Sequence, residues 1–551
     1  MSTPKNSSIT LSDVGLTWPD GSTALVGITG TFGGGRTGLV GTNGSGKSTL
    51  LRIIAGQLTP TTGRVIASGD VDYLPQTLTL GTAATVAGLL GIADKVAALR
   101  AIENGDVSER HFDAIGDDWD VETRADDALR HIGLTAADLH RRVEELSGGE
   151  TMLVAIAGLR LRRASITLLD EPTNNLDRDA RARLAEMLRS WPGTLVVVSH
   201  DTAILEIMDD TAELHFGRLT VFGGPYSEWR AHFDQEQAAA VQAARSAEQV
   251  VRTEKRQRIE AETKLAHRST KARTDYLNKR MPKIVMNGKK SKAQVSAGKL
   301  RTELDHKVKS AQSALDTADA RVREEVRIHV DLRDPDVANG RRIAELYDGD
   351  RSVVLQGPER IALVGPNGVG KTTLLEALVY GAELQPGQHR LPDRDRLPGS
   401  TRLPGRTGAV LLTDRVGYLP QRLDGLDDTR TVLENVQSAA PSVAAGIIRN
   451  QLARFLLRGA TVERLVGSLS GGERFRVAVA RLLLADPPPQ LLVLDEPTNN
   501  LDLRSIDQLV DALRAYGGAL IVVSHDDAFL ARLGLTTTLT LDRSGGLTES
   551  V

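Results

Sequence analysis

Short apolar runs that alternate with helical patterns recur along this chain of 551 residues. The segments RTGLVG (36–41), SITLLDE (165–171) and GTLVVVSH (193–200) are nearly continuous in apolar residues, as expected for strands buried on both faces of a sheet. A stretch with helical spacing of apolar residues follows each of them. Strands that alternate with helices indicate an α/β fold whose core is a largely parallel sheet.

The same succession of motifs occurs twice in the chain. GTNGSGKST (41–49), YLPQ (73–76), LSGGE (146–150), LLDEPTNNLD (168–177) and VVVSHD (196–201) recur in the same order as GPNGVGKTT (365–373), YLPQ (418–421), LSGGE (469–473), VLDEPTNNLD (493–502) and IVVSHD (521–526). Most equivalent residues lie about 324 positions apart. We therefore predict a duplicated domain.

Comparison of the two copies predicts the domain boundaries. The first domain is expected to span residues 1–230, a connector 231–335, and the second domain 336–551. The second copy has additional residues near 383–407, where Pro, Gly and Arg predominate, and these indicate a surface loop. The first copy has additional residues near 95–125, whose pattern predicts helix.

Each copy contains a glycine-rich turn between a predicted strand and a predicted helix. The backbone N–H groups of such a turn can point at phosphate because glycine leaves room for it. Lys47 and Lys371 are predicted to contact nucleotide phosphates, and Ser48 and Thr372 to ligate Mg²⁺. The other ATP-binding residues predicted in these turns are Gly41, Asn43, Gly44, Ser45, Gly46 and Thr49, and Gly365, Asn367, Gly368, Val369, Gly370 and Thr373.

An aspartate–glutamate pair ends an apolar strand in each copy. Asp170 and Asp495 are predicted to hold Mg²⁺. Glu171 and Glu496 follow directly, and a carboxylate there can orient and deprotonate the attacking water. Such a pair can also cap a helix, but its repetition in the same context favours the catalytic role.

A histidine and a glutamine also recur at equivalent places. His200 and His525 follow apolar strands and are predicted to be catalytic residues that contact the γ-phosphate. A lone histidine is more often structural, but two equivalent ones favour a function. Gln76 and Gln421 are predicted to ligate Mg²⁺ or to position water.

The LSGGE motifs, together with the phosphate turns and the DEPTNNLD and SHD strings, resemble the signature set of the ABC ATPases. This resemblance implies two tandem nucleotide-binding domains that pair within one chain, the LSGGE segment of each capping the ATP held by the other. It pairs the site of Lys47 with Ser470 and the site of Lys371 with Ser147. The ATP-binding residues it adds are Ser147, Gly148, Gly149 and Glu150, and Ser470, Gly471, Gly472 and Glu473.

Members of that family usually stack an aromatic residue on adenine, upstream of the phosphate lysine. Trp18 lies at the expected spacing before Lys47 and is predicted to stack on ATP in the first site. The matching position in the second copy is Arg342, with Tyr347 displaced nearby. What stacks on the base in the second site is therefore left open.

The connector concentrates positive charge in an otherwise acidic chain. From Lys264 to Arg301 there are 12 Lys and Arg residues and one acid, Asp275, whereas the whole chain has a net charge of −3. Such segregation is typical of a surface that binds a polyanion, although a solvated helical hairpin would also explain it. The predicted RNA-binding residues are Lys271, Arg273, Lys279, Arg280, Lys283, Lys289, Lys290 and Lys292.

Two long helices are predicted in the connector, one over 232–280 and the other from about 292 to 330. Pro282 and the pair Asn287–Gly288 are expected to break the chain between them. Two long helices with a basic tip between two ATPase domains resemble the connector of the ABC-F subfamily.

That resemblance implies an ATPase that acts on the ribosome, with rRNA and tRNA as partners and the connector reaching the tRNA and peptidyl-transferase region. The reading that we favour is protection against ribosome-targeting antibiotics. Two alternatives are an ABC-F translation factor without a resistance role and a tandem ATPase subunit of a membrane importer.

The composition excludes several kinds of site. The chain has no cysteine, which excludes disulfides, thiolate zinc sites, iron–sulfur clusters and thiol catalysis. The first residues, MSTPKNSSITLSD, contain no apolar segment of a signal peptide, and no long apolar run predicts a membrane span. We expect a cytoplasmic monomer without a membrane partner, with ATP and Mg²⁺ bound between its own two domains.

Overall fold

The chain is described here from a computed structural model. It describes residues 7–78, 84–174, 176–215, 217–277, 283–322, 332–348, 351–381, 407–423, 425–499 and 501–550, with backbone alone at 269, 272–273, 275–277 and 283–294. The chain divides into two compact units. One consists of Met1–Tyr226 together with Arg327–Val551, and the other of Ser227–Val326.

The N-terminal part of the first unit, called here the first half, begins at residue 7 and ends at residue 226. Its strands are β1 (Ile9–Thr17), β2 (Thr23–Phe32), β3 (Arg36–Val40), β4 (Thr62–Ala67), β5 (Val71–Leu74), β6 (Ile166–Asp170), β7 (Thr194–Val198), β8 (Asp210–His215) and β9 (Arg218–Gly223). Its α-helices are α1 (Lys47–Ile54), α2 (Val86–Leu90), α3 (Ala93–Glu103), α4 (Glu109–Ile115), α5 (Val121–Arg130), α6 (Gly148–Arg162), α7 (Arg178–Arg189) and α8 (Thr202–Leu205).

Two sheets organise the first half. The larger has the order β5-β6-β7-β3-β8-β9, and all neighbouring strands in it are parallel except β8 and β9. The smaller is antiparallel with the order β2-β1-β4. Every residue of β6 and β7 is buried, as their uninterrupted apolar sequences predict for strands covered on both faces. The helices α3, α4 and α5 confirm the helical prediction for residues 95–125.

The second unit contains two long helices, α9 (Tyr226–Leu277) and α10 (Lys283–Asp319). Charged pairs one turn apart support them, such as Arg252 with Glu248 at 2.7 Å. The Arg258 guanidinium of α9 lies 2.8 Å from the Asp305 carboxylate of α10, which joins the two helices. The unit is therefore a helical hairpin whose long helices carry mostly polar side chains.

The predicted limits of the second hairpin helix are wrong. The helix α10 begins at Lys283 rather than near 292, runs through Asn287 and Gly288, and ends at Asp319 rather than near 330. A glycine in a helix costs only about 1 kcal/mol relative to alanine, and the remaining turns of a long helix offset it. Of the residues expected to break the chain, Pro282 lies outside the described residues.

The second half begins at residue 332 and repeats the architecture of the first. Its strands are β10 (Arg342–Asp348), β11 (Ser352–Gln356), β12 (Arg360–Val364), β13 (Thr407–Leu411), β14 (Val416–Leu419), β15 (Leu491–Asp495), β16 (Ala519–Val523), β17 (Thr537–Leu541) and β18 (Leu547–Ser550). Its α-helices are α11 (Lys371–Tyr380), α12 (Val432–Gln437), α13 (Ala445–Arg454), α14 (Gly471–Leu483), α15 (Leu503–Ala515) and α16 (Asp527–Ala531).

The strand order of the second half is that of the first. The larger sheet is β14-β15-β16-β12-β17-β18, and the smaller is β11-β10-β13. This confirms the predicted α/β fold with two equivalent domains joined by a helical hairpin. Apart from Thr407, which begins β13, the loop predicted near 383–407 lies outside the described residues.

The helical part of the second half packs around fully buried aromatic and aliphatic side chains. Phe455 has no exposed surface and lies in a cluster with residues of α12, α13 and α14. We predict that Phe455→Ala will destabilise this half by about 3–5 kcal/mol, because the truncation leaves a cavity in a close-packed core.

Hydrogen exchange of residues 445–483 measures this effect locally. Phe112→Ala is the control, since Phe112 is 40% exposed in the first half. Equal protection of residues 445–483 in Phe455→Ala and in the parent protein would contradict the described packing.

Candidate functional site

The two phosphate loops lie between β3 and α1 and between β12 and α11. Gly46 and Gly370 occupy the N-cap positions of these helices with φ of 94° and 97°, a left-handed conformation that favours glycine. A Cβ on Gly46 would come within 2.4 Å of Leu25 Cδ2. The glycines therefore permit a tight turn that presents the N–H groups of a helix start, where anions bind well.

A lysine side chain is folded into each loop. The Lys47 Nζ donates hydrogen bonds to the carbonyl oxygens of Gly41 (2.8 Å) and Thr42 (3.3 Å). The Lys371 Nζ donates to those of Gly365 (2.7 Å) and Pro366 (2.9 Å). Burial lowers the pKa of both lysines, which favours contact with an anion that would stabilise their charge.

Buried aspartates lie beside the hydroxyl group that follows each lysine. The Ser48 hydroxyl donates to Asp170 Oδ1 at 3.1 Å, and burial raises the pKa of Asp170. Burial likewise raises the pKa of Asp495, although the Thr372 hydroxyl opposes the effect. Neither oxygen of Asp495 makes a well-aligned hydrogen bond to a described residue. A hydroxyl and a buried carboxylate form an oxygen set that suits Mg²⁺, which keeps several ligands from water and substrate phosphates.

The glutamates that follow these aspartates have an unusual backbone conformation. Glu171 and Glu496 have φ of 50° and 47°, in the left-handed region that non-glycine residues rarely adopt. Their backbone N–H groups donate to Val198 O and Val523 O, each at 2.9 Å, which holds them at the ends of the central strands. Strain that is repeated at equivalent positions marks these glutamates as functional candidates.

Each glutamate lies next to a histidine. The Nε2 of His200 is 3.2 Å from Glu171 Oε1, and the Nε2 of His525 is 3.4 Å from Glu496 Oε1. Burial raises the pKa of Glu171 to about 8 and that of Glu496 to about 7. Burial lowers the pKa of His200 to about 3 and that of His525 to about 4, so both imidazoles are neutral at pH 7. A carboxylate with a pKa near 7 is well suited to act as a general base.

In the second half the histidine also reaches the phosphate loop. The Nε2 of His525 lies 3.0 Å from Asn367 Oδ1 and 3.3 Å from Lys371 Nζ. The loop after β16 is thereby connected to the start of α11.

A cavity of about 530 Å³ brings many, but not all, of the predicted residues of the first site together. Its lining from the first half includes Trp18, Asn43, Gly44, Gly46, Lys47, Ser48, Thr49, Gln76, Glu171 and His200. Its lining from the second half is Thr498, Asn499, Leu501, Ile506 and Asp526. The first site is therefore composite, with walls from both halves.

The LSGGE residues have a local role in the structure. The Ser147 hydroxyl accepts a hydrogen bond from the Glu150 N–H (3.2 Å), and the Glu150 carboxylate accepts one from the Ser147 N–H (2.8 Å). Ser470 and Glu473 make the same reciprocal cap at the start of α14. Gly148 and Gly149, and Gly471 and Gly472, form the first turns of α6 and α14. The described residues that line the first cavity include none from the second LSGGE segment. The capping of the opposite nucleotide therefore stays a prediction.

Some predicted residues are placed less clearly in a site. Val369 is only 4% exposed, and its side chain packs in the hydrophobic core. Only its backbone can therefore contribute to the phosphate loop. Gln421 follows β14 and is exposed. Arg342 begins β10 and pairs with Glu345 at 2.8 Å, whereas Tyr347 lies further along the strand. The residue that stacks on the base in the second site thus stays open.

The predicted RNA-binding residues lie in or between the hairpin helices. Lys271 is exposed on α9, and Arg273 lies on the same helix. Four others lie on the first turns of α10, namely Lys283, Lys289, Lys290 and Lys292. Lys279 and Arg280 are outside the described residues.

Sequence reasoning missed two aspartates that connect the halves. The Asn43 N–H donates to Asp502 Oδ2 at 2.8 Å, and the Asn367 N–H donates to Asp177 Oδ2 at 3.3 Å. Both aspartates also cap their own helices, α15 and α7. Their signal was present, since each is the last residue of a repeated DEPTNNLD string. Tyr73 was also missed, although it begins the first YLPQ motif, and its hydroxyl donates to Asp170 Oδ2 at 3.3 Å.

Two phosphate loops, two buried carboxylate–histidine pairs and bonds between the halves define an ATPase with two nucleotide-binding domains in one chain. The ABC transporter family model matches residues 29–174 and 350–499. No helix within the described ranges is both long and apolar enough to cross a bilayer.

Two curated relatives match nearly the whole chain. The tylosin resistance ATP-binding protein TlrC of Streptomyces fradiae is 31% identical, over 91% of this chain and 91% of its own length. The energy-dependent translational throttle protein EttA of Escherichia coli K12 is 30% identical, over 91% of this chain and 86% of its own length. The chain belongs to the ABC-F subfamily of the ABC ATPases and hydrolyses ATP.

A solved structure has the same fold. It is the archaeal ribosome recycling factor aABCE1, in complex with the ribosomal stalk protein aP1. The match covers 98% of this chain and 89% of the chain in that structure, with a TM-score of 0.51 and 19% identity.

We predict that Gly46→Ala will weaken ATP binding in the first site, because the new Cβ would meet Leu25 and Ala24 in a left-handed turn. Backbone strain of this kind costs about 1–3 kcal/mol, which corresponds to roughly fivefold to 150-fold weaker binding. Photo-crosslinking of an azido-ATP analogue, followed by peptide mapping, measures labelling of each half separately.

Gly33→Ala is the matched control, since a Cβ there would meet nothing within 4 Å. Labelling of the first half that is unchanged by Gly46→Ala would contradict the described geometry of this loop.

Proposed function

We propose that this ABC-F ATPase acts on the ribosome, with its hairpin reaching the tRNA and peptidyl-transferase region, and protects against ribosome-targeting antibiotics. The proposed organisation is a first ATPase domain at 1–230, a hairpin linker at 231–335 and a second ATPase domain at 336–551. The observation that carries the proposal is the separate helical unit Ser227–Val326, which contains the basic segment of an otherwise acidic chain.

In the proposed first site, the ATP phosphates bind at the start of α1, where Lys47 and the backbone N–H groups of the loop contact them. Ser48, Asp170 and Gln76 would hold Mg²⁺, which neutralises charge on the phosphates. Glu171 orients the attacking water and accepts its proton, and neutral His200 contacts the γ-phosphate. Trp18, which lines the cavity, is proposed to stack on adenine.

The second site uses equivalent residues of the other half. Lys371 and the start of α11 bind the phosphates, and Glu496 and His525 act on the water and the γ-phosphate. Thr372, Asp495 and Gln421 are the proposed Mg²⁺ ligands there.

Closure of the two halves is proposed to complete both sites. The bonds of Asp502 to Asn43 and of Asp177 to Asn367 support this, because each joins a helix start of one half to a phosphate loop of the other. In the closed state, the LSGGE segment beginning at Ser470 is proposed to cap the site of Lys47, and the segment beginning at Ser147 that of Lys371. The whole cycle then occurs within one chain, as a monomer in the cytoplasm.

Two observations support a ribosomal target. The relatives are called a tylosin resistance protein and a translational throttle protein. The hairpin carries lysines such as Lys271 that are exposed and would neutralise rRNA or tRNA phosphates. A translation factor without a resistance role is the second candidate, favoured by the equally extensive similarity to EttA.

We predict that the double variant Glu171→Gln and Glu496→Gln will bind ATP but hydrolyse it about 10²–10⁴-fold more slowly, because the general base is lost. Steady-state phosphate release and nucleotide retention on a filter measure the two effects. Glu186→Gln, on the exposed face of α7, is the control. Hydrolysis by the double variant at the parent rate would refute the assigned bases.

We predict that replacing Lys271, Lys289, Lys290 and Lys292 with Gln will weaken ribosome binding and make it less sensitive to salt. Each lost phosphate contact reduces the slope of log K against log salt by roughly 0.7–0.9. Co-sedimentation with ribosomes over a salt series measures the slope, and growth with ribosome-targeting antibiotics measures protection.

The control replaces Lys255 and Lys309, which are exposed on the same helices outside the basic segment. Basal ATP hydrolysis is expected to be unchanged in both variants. A salt slope equal to that of the parent, with full drug protection, would show that the hairpin charge has no role in binding.

A further inference from the structure

The two ATP sites differ at the helices that follow the bridging aspartates. Asp177 caps the start of α7 and Asp502 caps the start of α15, so positions counted from these residues are equivalent. One residue further, the first half has Arg178 where the second has Leu503. Four residues further, the first half has Arg181 and the second Ile506. At these two positions, guanidinium groups are therefore present in the first half only.

Arg181 connects the loops that follow the two candidate histidines. Its Nε donates to Leu176 O at 3.1 Å, within its own half. Its Nη1 lies 3.2 Å from Asp201 Oδ2, the carboxylate next to His200, and 3.4 Å from the carbonyl oxygen of His525 in the other half. The Arg181 side chain is only 18% exposed and that of Asp201 12%, so these contacts are largely shielded from water.

A second pair reinforces this one-sided connection. Arg178 forms an ion pair with Asp527, two residues after His525. The reciprocal pair cannot form, because the equivalent residues are Leu503 and Thr202. Ile506, the counterpart of Arg181, is 6% exposed and lines the cavity of the first site. A cation from the opposite helix thus reaches the loop of the second site, while an apolar side chain occupies the equivalent position beside the first, whose cavity Arg181 lines from its own half.

The charges around the two glutamates differ accordingly. Near Glu496, the positive charge of Arg181 adds to that of Lys371. Near Glu171, Asp201 adds negative charge. Asp526 lies close enough to Asp201 and Arg181 to interact with both, so the positive charge of Arg181 offsets the repulsion between these two carboxylates.

We propose that Arg181 of the first half is a positioning residue for ATP hydrolysis at the second site, and that it has no counterpart at the first. Its guanidinium fixes the His525 backbone and thereby the imidazole beside Glu496. Because the same group binds Asp201, it also connects the His200 loop to the His525 loop. This inference rests on the proposed roles of Glu496 and His525.

The test is single-turnover hydrolysis of pre-bound ATP in variants that retain one active site. Glu171→Gln leaves the turnover of the second site, and Glu496→Gln leaves that of the first. Arg181→Ile, which copies Ile506, is added to each background. We expect the turnover of the second site to slow by about tenfold to a hundredfold, since a small misplacement of catalytic groups has effects of that size. The turnover of the first site, whose cavity Arg181 also lines, is expected to slow less than that of the second.

Two further variants separate positioning from a loss of structure. Arg181→Lys keeps the charge near His525 and is expected to recover part of the rate at the second site. Arg189→Ile changes an arginine of α7 that pairs with Glu186 inside its own half, and is expected to leave both turnovers unchanged.

Equal slowing of both sites by Arg181→Ile, or no slowing of either, would overturn the proposal. So would an Arg181→Lys rate no faster than that of Arg181→Ile. If Glu171→Gln and Glu496→Gln fail to remove one turnover each, the site roles themselves are wrong, and the proposal for Arg181 fails with them. If each Glu→Gln substitution removes one turnover but Arg181→Ile slows both sites equally, only the proposed role of Arg181 is refuted.

Discussion

The hydrogen bonds between bridging aspartates and opposite phosphate loops are the interaction on which the two sites depend. Asp502 accepts from the Asn43 backbone at 2.8 Å, and Asp177 accepts from the Asn367 backbone at 3.3 Å. Each aspartate also caps a helix in its own half, so one carboxylate fixes both a helix start and the loop across the interface. The geometry that receives ATP phosphates is therefore a property of the paired halves, and a change in one half is transmitted to the site of the other.

Within this frame, burial adjusts the chemistry of each site. It raises the pKa of Glu171 and Glu496 and lowers that of His200 and His525, which leaves a neutral imidazole beside a carboxylate of basic character. The left-handed backbone of both glutamates holds these carboxylates at the strand ends and costs about 1–3 kcal/mol each. The fully buried central strands that precede them supply the stability that offsets this strain.

The sequence was most informative where the two copies agree. Buried strands, both phosphate loops and the candidate glutamates and histidines follow from repeated motifs with clear chemistry, whereas the contact between each glutamate and its histidine does not. The bridging aspartates Asp177 and Asp502 were missed, although each ends a repeated string, because the sequence does not show which group in the other half a carboxylate binds. Comparison of the two copies does not point to Arg181, because the equivalent residue in the second copy is Ile506. Gly288 was read as a break, although a long helix accommodates one glycine.

The central claim, that the halves pair through α7 and the loop after His525, is tested most directly by thiol cross-linking. The chain has no cysteine, so Arg178→Cys with Asp527→Cys creates the only reactive pair. A short bismaleimide should join the two positions and change the mobility of the chain on a denaturing gel. Arg189→Cys with Asp527→Cys, at the far end of α7, should give little product. Absence of cross-linking in the first pair, with or without ATP, or equal yields from both pairs, would contradict the account.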